Sequence, residues 1–291
     1  MSTGREPTGA PRRSSHARFA YALVDGDPSH PVTTASSGGL FGPAALDLRA
    51  ESPTQRLRAA RAAAPALTSG LAGPEAVVTL VAWVKRPATD HRNFSHSAPP
   101  PEPSSFRGCL AGGWGDADGD KGARRPPQNT RQYAMYFDLG ACNGEAGHGG
   151  VAYHHGFAAH ISATGGATPG HPYCVTAACD PRTLPPSDWH CVANAYDGRT
   201  IRAYVNGSLV RNGAVNPYPY RGGIYSPEAT GRAAAGAEFG VGVSMSFGVN
   251  QYIGLLGGLA VFNETLSQAQ VAEVCAWPSH PAFQPGGGGE T

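Results

Sequence analysis

The chain has 291 residues, 41% of them hydrophobic, which is enough apolar mass for a substantial core. Its 22 basic and 21 acidic side chains leave a formal net charge of +1, which excludes the electrostatic footprint of a nucleic-acid or anionic-membrane binder. No apolar run approaches the ~18 residues of a membrane span and no signal-peptide core is visible, so the sequence reads as cytoplasmic by default, or extracellular if exported otherwise.

Forty glycines and 26 prolines punctuate the whole length, the signature of many short strands joined by turns. Residues 1–18 are polar, basic and proline-containing, and are expected to be a disordered tail. Arg18–Gly26 and Gly42–Arg49 read as strands. The alanine- and arginine-rich stretch Thr54–Leu67 has helix propensity and predicts a short helix limited by Pro65. In "VVTLVAWVK", Val77–Lys85, both alternating sets of side chains are apolar, which predicts a strand buried on both faces. Two loop-rich inserts, 88–105 and 114–130, flank a strand at "FRGCLAGG". Strands follow at Arg131–Gly140 and Tyr153–Gly166.

In Trp189–Val210, "WHCVANAYDGRTIRAYVNGSLV", Asp-Gly and Asn-Gly separate three short apolar runs and predict two type I′ hairpins. Gly236–Ser244 and Gln251–Phe262 supply further strands. One helix closes the chain: Ser267 is its predicted N-cap, Gln270 completes a capping box, and Leu266 and Val271 sit at the staple positions. Residues 279–291 are expected to be a flexible tail, which leaves one domain over 19–278. The six cysteines carry no CxxC pair. Cys191 reads as a small buried hydrophobe and Cys174 and Cys179 as a pair able to close a small ring, with free thiols the default.

Several groups could carry function. His154 and His160 share one face of a predicted strand, where a neutral imidazole would bind a hydroxyl or act as a base. Arg131, Tyr133 and Tyr136 on the preceding strand, with Ser162 and Thr164, offer hydrogen-bonding groups beside them. Tyr218 and Tyr220 in "NPYPYRGGIY" either stack on sugar rings or cover a sheet edge. Asp116, Asp118 and Asp120 alternate as calcium ligands do, yet Lys121 and Pro127 stand where a calcium loop wants Gly and Glu; Ca2+ and a solvated acidic loop both remain open. No other cofactor is expected. The paired carboxylates of a glycosidase, the nucleophile elbow, the phosphate loop and the zinc helix are absent from the sequence.

Taken together, Trp83 in its apolar strand, the run Trp189, His190, Val192, Ala193, then Tyr196-Asp197-Gly198, Tyr204-Val205-Asn206-Gly207 and Leu266-Ser267 resemble the laminin-G-like domains of the concanavalin A-like lectin/glucanase superfamily. The resemblance spans about Phe19 to Cys275. It implies an all-β jelly-roll β-sandwich of two antiparallel sheets with a short C-terminal helix. It also implies a non-catalytic, lectin-like module binding a carbohydrate or glycan-bearing partner on its concave sheet face or loop rim, through Arg131, Tyr133, His154, His160, Ser162, Thr164, Tyr218 and Tyr220. Two alternatives stand beside it. One is a lyase- or cyclase-type enzyme on the same scaffold, with His160 or His154 as base, Tyr133 as acid and Arg131 holding an anion; the other is a structural domain that binds another protein.

Overall fold

A computed structural model describes residues 24–25, 33–35, 40, 44–48, 57–59, 64–86, 108–115, 130–137, 157–166, 177–180, 184–185, 188–211, 216–226, 238–242 and 252–279. The tails 1–18 and 280–291 lie outside them, as do both long inserts apart from Arg86 and the insert ends at Trp114, Gly115 and Thr130. The strands are β1 (Val24–Asp25), β2 (Thr33–Ala35), β3 (Ala45–Asp47), β4 (Leu57–Ala59), β5 (Val78–Lys85), β6 (Cys109–Gly113), β7 (Tyr133–Phe137) and β8 (Phe157–Ile161). They continue with β9 (Ala177–Asp180), β10 (Trp189–Tyr196), β11 (Thr200–Val205), β12 (Ser208–Leu209), β13 (Tyr218–Pro219), β14 (Phe239–Val241) and β15 (Leu255–Phe262), followed by helix α1 (Gln268–Cys275).

The strands form two antiparallel sheets. A seven-stranded sheet runs β1-β4-β14-β6-β7-β8-β9; an eight-stranded sheet runs β12-β11-β10-β5-β15-β3-β2, with β13 also paired to β11. The strand period of two explains how they stack. In β5, Val78, Leu80, Ala82 and Val84 point inward and meet Met135, Phe137 and Ile161 from the other sheet in one core cluster. Val81 and Trp83 point outward into a second cluster. β10 lies in register beside β5, from Trp189↔Lys85 to Tyr196↔Val78, so Val192 and Tyr196 join the core while Cys191, Ala193 and Ala195 face out. Asn194 stands among the inward residues, and its Nδ2 donates to the Ala134 carbonyl of the opposite sheet (3.3 Å).

Helix α1 lies on that outward cluster. Ser267 Oγ accepts from the Gln270 N–H and Gln270 Oε1 accepts from the Ser267 N–H, the capping box expected from the sequence. Val271 and Val274 are buried under the helix with Leu266, against Val81, Trp83 and Tyr204. The Trp83 indole N–H donates to the Cys275 carbonyl (3.2 Å), and the Trp83 ring stacks on Trp277.

Three expectations need correction. Cys191 is not a lone hydrophobe: it forms a disulfide with Cys275, 84 residues away, because the end of α1 lands on the outward face of β10. Thr54–Leu67 yields no helix of the kind expected; Leu57–Ala59 is a strand held between β1 and β14, and Pro65–Leu67 forms a single 3-10 turn. Sheet pairing outweighs the local propensity there. The two hairpin signals also differ. Asn206 (φ 50°) and Gly207 (φ 76°) form the two-residue turn between Val205 and Ser208, as a type I′ turn requires. At Asp197-Gly198 only the glycine has positive φ (80°), and the loop is four residues long. The Asp197 carboxylate holds it by accepting from the N–H groups of Arg199 and Thr200 (2.9 and 2.7 Å) and pairing with Arg202 (2.7 Å).

Candidate functional site

The outward face of the seven-stranded sheet carries different chemistry from the face under α1. In β7 and β8 the register is Ala134↔His160 and Tyr136↔Ala158, so Tyr136 and His160 are diagonal neighbours on one face. Their ring centroids are 5.0 Å apart, and Trp114, just past the end of β6, meets His160 at 5.2 Å and Tyr136 at 5.9 Å, edge to face. Arg131 lies over the Trp114 ring with its guanidinium carbon 5.5 Å from the centroid, within cation–π range.

His160 is the anomaly in this cluster. It is 1% exposed, and among the described residues neither Nδ1 nor Nε2 has a hydrogen-bond partner. Gln132, His190 and Asn194 each leave one buried polar atom unpaired but use another; His160 uses neither. Burial, with a smaller push from the positive charge of Arg131, lowers its pKa to about 3. The imidazole is therefore neutral across the physiological range and is a hydrogen-bonding group, far from the matched pKa of a general base.

The backbone behind Arg131 is closely braced. Its N–H donates to the Gly165 carbonyl (3.2 Å). Gly165 has φ +74°, and a Cβ there would lie 2.6 Å from the Tyr225 ring, so only glycine lets this turn sit against the tyrosine. The Tyr225 N–H donates to the Ser162 carbonyl (2.7 Å), and Gln132 Nε2 donates to the Tyr225 carbonyl (2.9 Å).

The residues expected from the sequence divide accordingly. Arg131 and His160 belong to one cluster. Tyr133 does not: it pairs with Ile161 on the inward side, is fully buried, and its hydroxyl donates to the Leu67 carbonyl. A site combining Tyr133 with His160 is ruled out by the sheet between them. Ser162 shapes the turn, its Oγ accepting from the Gly165 N–H and donating to the Gly166 carbonyl. Thr164 is exposed on the same turn and accepts from the Gly166 N–H. The Tyr220 hydroxyl accepts from the Ala163 N–H (2.8 Å), and Tyr218 and Tyr220 pack on the core, so this pair covers the end of the sandwich and braces the turn. His154, Asp116, Asp118 and Asp120 lie outside the described residues. Among the described residues no group of three His, Cys, Asp or Glu side chains could hold a metal ion, and no helix is long and apolar enough to cross a membrane. Trp114 was not foreseen. Its signal was one of position: an aromatic directly after "CLAGG", next to a strand whose outward residues are alanine and tyrosine.

A family profile described as concanavalin A-like lectin/glucanases superfamily matches residues 125–272, about half of the chain. The chain belongs to this superfamily. The match takes in β7, β8, the β10–β12 hairpins and most of α1, and so includes Arg131, Tyr136 and His160. No curated protein matches the sequence. Among solved structures, domain 4 of an extracellular arabinanase from Geobacillus stearothermophilus, in complex with arabinotriose, is 14% identical and has a TM-score of 0.40; the alignment covers 84% of this chain and 81% of that one. The CBM40 of the Ruminococcus gnavus IT-sialidase is 14% identical over 83% of this chain and 96% of that one, with a TM-score of 0.41. A native heptameric SAP-like pentraxin from Limulus polyphemus is 12% identical over 68% and 69%, with a TM-score of 0.35. The lectin-like sandwich of the superfamily is thus the architecture on which the Trp114–His160 cluster sits.

Proposed function

We propose that this protein is a non-catalytic saccharide-binding module that holds its ligand on the outward face of the seven-stranded sheet, at Trp114, Arg131, Tyr136 and His160. The observation that carries this reading is His160, buried and with no partner at either nitrogen among the described residues. A polar group stripped of water without replacement costs about 1–3 kcal/mol. Such a group marks a place where the partner comes from outside the chain. Saccharides suit the surroundings: aromatic rings take the C–H faces of a sugar, and a neutral imidazole both donates to and accepts from hydroxyls.

The lyase or cyclase alternative loses its acid, because Tyr133 points into the core, and its base, because His160 binds a proton only near pH 3. The Cys191–Cys275 disulfide favours work in an oxidising compartment, a reading that thiol counting on the isolated protein tests directly.

The reading is tested with an array of neutral and acidic oligosaccharides followed by isothermal titration of the hits. Wild type is expected to bind at least one, with a change in tryptophan emission, and His160→Phe and Trp114→Ala to lose that binding while keeping the wild-type circular dichroism. An array without hits, or His160→Phe binding as wild type does, ends the proposal.

A further inference from the structure

We infer that the saccharide taken here is an acidic one, its carboxylate paired with Arg131 while a hydroxyl engages His160; the inference rests on the saccharide-binding reading above. Trp114, Tyr136 and His160 are nearly inaccessible, whereas Arg131 is half-buried, so Arg131 is the member of the cluster that an incoming ligand meets from the solvent side. Its guanidinium is fixed against Trp114, and its backbone is tied to Gly165, itself wedged against Tyr225. A pre-positioned arginine loses little freedom on binding, and its fork of N–H donors matches a carboxylate in bidentate fashion.

The charge of the cluster points the same way. Two of the four side chains are uncharged aromatics, and burial together with the field of Arg131 keeps the proton off His160. The four therefore present a single positive charge beside a neutral hydrogen-bonding group. A carboxylate gains from that field where a neutral sugar gains nothing, and the low dielectric beside three buried rings strengthens the pairing.

The test titrates the whole chain with tri-galacturonate, tri-mannuronate and sialyllactose, each beside its methyl ester, which keeps the sugar and removes the charge. At least one acid is expected to bind about tenfold or more tighter than its ester. That ratio should fall to about one in Arg131→Gln, with the ester's own affinity changed by less than about threefold, and to an intermediate value in Arg131→Lys, which keeps the charge but not the fork. It should also shrink between about 50 mM and about 500 mM salt. Equal affinities for acid and ester overturn the inference and leave saccharide binding standing. Failure of every acid, every ester and the neutral array overturns both. A ratio that survives unchanged in Arg131→Gln assigns the charge recognition elsewhere and likewise refutes the inference.

Discussion

The two sheets turn opposite kinds of surface outward. The eight-stranded sheet faces Val81, Trp83, Ala193 and Tyr204 into a helix that covers them, and the cover is fastened by a capping box, a Trp83–Cys275 hydrogen bond and a disulfide. The seven-stranded sheet places Trp114, Tyr136 and His160 on its outward side, with a histidine whose polar atoms stay unsatisfied among the described residues. One face has its interactions completed by the chain itself, and the other keeps a polar group that the chain leaves unmatched. The comparison teaches where stability and function reside: substitutions under the helix should cost folding free energy, whereas the key substitution at His160 should cost binding instead.

The largest effect is expected at the disulfide. It closes a loop spanning 84 residues of sequence separation, and losing that constraint on the unfolded chain is worth about 4–5 kcal/mol. Cys191→Ser/Cys275→Ser should therefore lower the denaturation midpoint strongly in urea while leaving saccharide affinity unchanged at temperatures where the protein is folded. An oxidised wild type no more stable than the double variant would remove the fastening role.

His160→Phe sharpens the contrast from the other side. The folded protein holds His160 neutral down to about pH 3, whereas in the unfolded chain the group protonates near 6.5. Between these values the unfolded state carries a proton that the folded state refuses, so stability falls as the pH falls, by up to about 1.4 kcal/mol per pH unit, and this loss levels off below about 3. Phenylalanine at 160 removes the contribution. Its stability advantage over wild type should grow by about 3 kcal/mol from pH 7 to pH 4, read by urea unfolding at each pH. Parallel pH profiles for the two proteins would show that His160 is hydrated, not buried.

Gly207 offers a smaller break on the helix side. It has φ +76°, and an added Cβ would lie 2.7 Å from the Ala272 Cα on α1. Gly207→Ala combines left-handed strain with a clash against backbone and is expected to cost about 2–3 kcal/mol. Thermal unfolding measures it; a loss below about 1 kcal/mol would mean that the helix shifts without resistance.

How far the sequence disclosed these two faces depended on range. Signals complete within a few residues were legible: Asn206-Gly207 as a type I′ turn, Ser267 with Gln270 as a capping box, and the doubly apolar β5 as a central strand. The face of a strand was not. In "YAMYF" tyrosine occurs in both alternating sets, so nothing local says that Tyr133 enters the core and Tyr136 leaves it; only pairing with Ile161 and Ala158 on β8 decides. The disulfide was hidden for a related reason, since six cysteines allow 15 complete pairings and the partners stand on elements that only tertiary packing brings together. Leu57–Ala59 was misread because alanine and arginine favour a helix until two neighbouring strands claim the backbone.

The smallest effect tests whether the helix cover acts as one unit. Ser267→Ala removes the side-chain acceptor for the Gln270 N–H and leaves Gln270 Oε1 without the Ser267 hydroxyl, at the exposed end of α1. A cap of this kind is worth about 1 kcal/mol. If the disulfide at the far end already holds the helix in place, the same substitution should cost the same amount with Cys191 and Cys275 present or replaced, because the two fastenings lie at opposite ends and share no partner. If instead the helix frays from Ser267 as far as the disulfide, the cap will matter more once the disulfide is gone. A double-mutant cycle by urea unfolding separates these outcomes: a coupling below about 0.5 kcal/mol supports two independent fastenings on a preformed surface, and a larger one means that the cover of the eight-stranded sheet folds and opens as a single piece.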